Sequence, residues 1–128
     1  PLRHVANVAA FVRQVEAFRA FAEHPEAVRA CAADPCVLLA SGRCFTVVVF
    51  AQLVAEGLAA ADADDALTSA VFHTLVEDLS AESLRLAAAL APGSPLRDRL
   101  AGIVRVPETT APELECIVSL VDPGSAAA

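Results

Sequence analysis

His73 and Glu77 stand four residues apart, a spacing that puts two side chains on one helix face and that metal sites use. A metal centre needs a second such pair, and the other histidines, His4 and His24, are remote in sequence. Among the cysteines, Cys31 and Cys36 are five apart, not the close pair of a zinc knuckle. Cys44 lies within an apolar run, where a thiol behaves as a small hydrophobe, and Cys116 is distant. Cysteine–histidine catalysis requires an orienting polar group and an oxyanion site, and the spacing supplies neither. Ser41 has no G-x-S-x-G context, and the five glycines are too scattered for a phosphate loop. The expectation is a protein without metal, cofactor or enzymatic activity.

The composition sets the frame. A chain of 128 residues fits one domain, expected over residues 1–122 with a flexible tail at 123–128. Hydrophobic residues make up 56%, enough for a core that needs no disulfides. The net charge is −7 and no basic patch occurs, which argues against a nucleic-acid partner. Lys, Met, Tyr and Trp are absent and Ala is abundant. Lys, Met and Tyr have AT-rich codons, so their absence suggests a GC-rich coding sequence, as in actinobacteria or some large DNA viruses. The alanines favour helix.

The dominant stretch is residues 41–58, SGRCFTVVVFAQLVAEGL. Only Thr46 and Gln52 interrupt its apolar centre, 44–55. Its length excludes an ordinary strand. A helix apolar on every face is expected to be buried on every face, as the axle of a helical domain. This stretch is shorter than a bilayer span requires. Gly42 and Arg43 fall in the first turn of that helix, where a cation opposes the helix dipole. Two readings follow: a surface pair between Arg43 and an acid such as Asp34, or an arginine facing a partner's carboxylate, with Gly42 admitting the partner's backbone.

The run Gly42-Arg43, then Thr46, Phe50, Ala51, Val54-Ala55 and Leu58, resembles the first homology region of the Bcl-2 family of apoptosis regulators. The usual Asn-Trp before Gly-Arg is here Ala40-Ser41. Leu2-Arg3-His4-Val5-Ala6-Asn7 resembles the third homology region, with Asn7 in place of its Asp. Residues 96–104 take the place of the second, without its Trp. The resemblance spans about residues 2 to 104. It implies an all-α, Bcl-2-like bundle around a central hydrophobic hairpin, here 42–60 and 66–79.

In order along the chain, the apolar spacing predicts an amphipathic helix over 2–22 and a short one over 26–33, opened by Pro25 and ended by Asp34-Pro35. Residues 36–40 lead into the central helix. An acidic connection, 59–65, follows, with Asp64 or Asp65 capping a helix over 66–79. Ser80 and Ser83 allow a fresh start, giving 82–91. Pro92-Gly93-Ser94-Pro95 is the strongest turn. Helices over 96–104 and 113–121 complete the chain. The family's first helix has no counterpart before Leu2, a place that a truncated segment or 113–121 would take, and its C-terminal membrane anchor is absent.

By that resemblance, the expected function is inhibition of apoptosis by holding death-motif (BH3) helices of pro-apoptotic proteins in a surface groove. Gly42, Arg43, Phe45, Thr46 and Phe50 carry over as groove residues. The compact size and divergent motifs suggest a viral homologue acting in the host cytoplasm, at the mitochondrial surface. An apolar groove without an anchor further predicts a homodimer, or a groove filled by 113–121. Two alternatives remain open: a Bcl-2-fold modulator of innate immune signalling, and a ligand-binding regulatory domain with a closed internal pocket.

Overall fold

A computed structural model describes residues 2–122 and 124. Among them all regular structure is helical: a short 3-10 turn, Leu2–His4, then α1 (Ala6–Ala22), α2 (Pro25–Ala33), α3 (Pro35–Ala60), α4 (Asp65–Ala89), α5 (Leu96–Ala101) and α6 (Ala111–Val121). The expected tail lies outside the described residues apart from Gly124.

The axle is α4, not α3. Helices α1, α3, α5 and α6 all pack against α4, while α2 folds back on α3. α4 buries Thr68, Phe72, Leu75, Val76, Leu79, Ser80, Ser83 and Leu86. α3, the more apolar helix, buries only Val37, Cys44 and Ala51. These recur every seventh residue, a single seam along one side. The expectation that 44–55 is enclosed on all sides is therefore overturned. Phe11 meets Phe72 edge to face, with ring centroids 5.7 Å apart, and fixes α1 against α4.

Helix boundaries follow local chemistry. Asp34 accepts a hydrogen bond from the Cys36 backbone N–H at 2.8 Å, and Pro35 occupies the first helical turn, so α3 begins there. The stretch 36–40 is its first turns and not a separate lead. Arg43 consequently sits well inside the helix, clear of the positive end of its dipole. With 26 residues, α3 is about 39 Å long. By length and composition it is sufficient to cross a membrane, contrary to the expectation from its central stretch. Asp62 turns the chain with φ of 50°, a left-handed conformation that a short polar side chain tolerates, and Asp64 caps α4 by accepting from Leu67 N–H at 2.7 Å.

α4 runs unbroken where a restart at Ser80 was expected. Serine in a helix competes for backbone hydrogen bonds, but here tertiary partners occupy the hydroxyl. Ser80 Oγ accepts from Gln14 Nε2 at 2.9 Å and from Arg105 N–H at 3.0 Å, and donates to Arg105 O at 3.0 Å. Gln14 is itself fully buried, and its Nε2 also lies within hydrogen-bonding distance of Val76 O and Ile103 O. One amide thus ties α1, α4 and the segment that follows α5. The turn at 92–95 forms as expected, with Gly93 at φ 80°, and Leu96, Leu100 and Ile103 point inward.

Candidate functional site: the outer face of α3

The residues carried over as groove residues lie together. Gly42, Arg43, Phe45, Thr46 and Phe50 are all exposed and lie on the side of α3 away from α4. Helical spacing adds Leu38, Leu39, Val49 and Leu53 to the same face. The six large apolar side chains of this face range from 43% exposed at Val49 to 62% at Leu53. Thr46 turns its hydroxyl back onto Gly42 O at 2.9 Å, leaving its methyl to the stripe. Two shallow hollows mark the face. One is lined by Pro35, Leu38, Leu39, Gly42, Arg43 and Thr46, the other by Phe45, Thr46, Val49, Phe50 and Leu53.

The charges on this helix are sparse. Arg43 and Glu56 are its only ionisable groups besides the two thiols, Cys36 and Cys44. Arg43 forms no ion pair among the described residues, and Asp34 spends its carboxylate on the α3 cap. The local Arg43–Asp34 pair is therefore not formed. A Cβ added at Gly42 or Gly57 would meet nothing within 4 Å. Nothing among the described residues requires glycine at either position, although a mid-helix glycine costs about 0.5–1 kcal/mol relative to alanine.

The expected filler of this face lies elsewhere. α6 packs on α4, anchored by Glu113, which is fully buried. Its carboxylate takes the Thr110 N–H in a capping box, with Ser69 Oγ at 3.3 Å and His73 Nδ1 at 3.2 Å. His73 thus serves the bundle edge, 3.6 Å from Glu77 on its other nitrogen, and no cluster of three metal-ligating residues occurs among the described residues. Asn7, which stands where the third homology region has its Asp, is buried. It donates to Ser69 O and Glu108 O and accepts from Glu108 N–H at 2.8 Å, holding the 104–110 loop against α1. Its one mark in the sequence is its solitary status, as the single Asn of the chain.

Cys44 faces the opposite way from the stripe, buried near Ser83. Burial pushes its thiol up to about 11, against a weaker lowering by a hydrogen bond with Ser83. All four cysteines are free thiols. A half-open groove of about 590 Å³ runs between α1 and α3, floored by Val8, Phe11, Val12, Val48 and Phe72, with Glu16 and Arg19 at its rim. It is not the closed pocket of the ligand-binding alternative.

Compared with protein-family models, curated proteins and solved structures, the chain matches none.

Proposed function

We propose that this chain is a non-enzymatic binding module that holds an amphipathic helix of a partner protein along the outer face of α3. The observation behind this reading is that an uncovered apolar stripe shares its face with an open glycine and with an arginine that forms no ion pair among the described residues. An incoming helix with apolar residues at i, i+3, i+4 and i+7 covers such a stripe. A carboxylate on that helix meets Arg43 in a charge-assisted hydrogen bond, and a small residue beside it lies over Gly42. In the Bcl-2-like reading the partner is a death-motif helix, and the module restrains apoptosis by sequestering it in the cytoplasm of a host cell. The uncovered face of α3 and the α3–α4 hairpin support that reading. The peripheral place of α3 departs from the central position that the family gives this helix.

Calorimetric titration with a panel of death-motif peptides, and with a scrambled amphipathic peptide of equal charge, tests the proposal. Saturable binding of the former alone is expected. Absence of binding to every peptide overturns it.

A further inference from the structure

We infer that, in the free protein, the outer face of α3 is covered by the same face of a second copy, packed antiparallel about a two-fold axis near Val49 and Phe50. The inference deepens the proposed function, since it concerns the same surface.

Leu38, Leu39, Phe45, Val49, Phe50 and Leu53 together expose on the order of 700 Å² per copy, near the roughly 800 Å² per partner of a standard interface. A patch of that size exceeds what a monomer commonly leaves in water.

The two charged side chains of α3, Arg43 and Glu56, lie equally far on either side of the point between Val49 and Phe50. Antiparallel pairing about that point brings Arg43 of each copy level with Glu56 of the other. Parallel pairing sets arginine level with arginine and glutamate level with glutamate. The helix dipoles favour the antiparallel arrangement in the same sense.

Gly42 and Gly57 are also equidistant from that point, and both open onto empty space. In the antiparallel pair glycine stands level with glycine at both ends, where the absence of side chains lets the backbones approach. Two unexplained mid-helix glycines thus acquire one explanation. Against a lipid surface they have none, and the protein's net charge of −7 opposes an anionic membrane.

A dimer built this way is self-limiting. Partner helix and second copy compete for one stripe, so the partner's apparent affinity falls as the protein concentration rises.

Sedimentation equilibrium of the full chain, up to about 100 μM, supplies the test. The wild type is expected to dimerise, and Phe50→Asp to be monomeric with unchanged far-ultraviolet circular dichroism. Arg43→Glu and Glu56→Arg are each expected to weaken the dimer roughly tenfold, and the double exchange to restore it. A monomeric wild type, a dimeric Phe50→Asp, or a double exchange without rescue overturns the inference. So does a wild type that stays monomeric and partitions onto phosphatidylcholine vesicles. A monomer that binds death-motif peptide refutes the dimer and leaves the functional reading standing. A dimer that ignores those peptides even when diluted to monomer does the reverse.

Discussion

Gln14 on α1 donates to Ser80 Oγ on α4 across 2.9 Å, and both residues are buried. The contact converts what would be a break in α4 into the joint that holds the bundle. Ser80 Oγ has three partners and Gln14 Nε2 lies within hydrogen-bonding distance of three oxygens. Removing either side leaves buried polar groups unsatisfied, at about 1–3 kcal/mol. Ser80→Ala and Gln14→Leu are each expected to lower unfolding free energy by that amount in urea titrations. Because the two share one network, the double variant is expected to lose less than the sum.

α3 and α4 differ in what a charge does to them. Leu79 is fully enclosed, so Leu79→Asp buries an unpaired carboxylate and is expected to abolish the folded state. Phe50 is 57% exposed in the single chain, so Phe50→Asp is expected to keep the fold, with a stability change within about 1 kcal/mol. Circular dichroism at low micromolar concentration distinguishes them. A Phe50→Asp variant that unfolds would restore α3 to the centre of the bundle.

That contrast shows what the sequence could and could not convey. The helical class, the turn at 92–95, an aspartate cap at 64 or 65 and the inward faces of α1 and α5 were legible because each depends on local chemistry or on a 3.6-residue period. The exposure of α3 was not, because an all-apolar helix carries no period to mark its inner side. The inner seam is marked instead by size: Cys44 and Ala51 are small, which lets α3 lie close, while the bulky Phe45 and Phe50 point away. The continuity of α4 was hidden for the opposite reason. Ser80 and Ser83 read locally as a helix restart, and only the distant Gln14 and Arg105 show why the helix continues. The five carried-over residues do share one face, but as an open stripe on the outside of the bundle.

Cys44 links packing to pH. Its thiol is pushed from 9.0 up to about 11 by burial, so between those values the unfolded chain has lost a proton that the folded chain retains. The contribution is fully present below about pH 9 and is lost as pH rises through about 11. At about 1.4 kcal/mol per unit of difference, the slope is measurable. Chemical unfolding at pH 8, 9.5 and 11 is expected to show falling stability in wild type and a shallower fall in Cys44→Ala. At pH 8, a thiol reagent is expected to label the exposed Cys36 while sparing Cys44.

Gly42 separates stability from binding. Its position is helical and an added Cβ meets nothing within 4 Å, so Gly42→Ala removes unfolded-state freedom without a clash. The isolated chain is expected to gain about 0.5–1 kcal/mol. If the outer face of α3 receives a helix, that methyl group holds the incoming backbone away from Arg43 and weakens binding. Gly42→Glu adds bulk and a charge that repels the partner's carboxylate, and is expected to weaken binding further. Arg43→Ala removes the carboxylate's partner and is expected to reduce peptide affinity roughly tenfold to a hundredfold, with little change in melting temperature. Melting curves and one peptide titration for each variant give both quantities. Gly42→Ala that stabilises the chain and binds peptide as tightly as wild type would remove the glycine from the site, and an Arg43→Ala variant of undiminished affinity would remove the arginine.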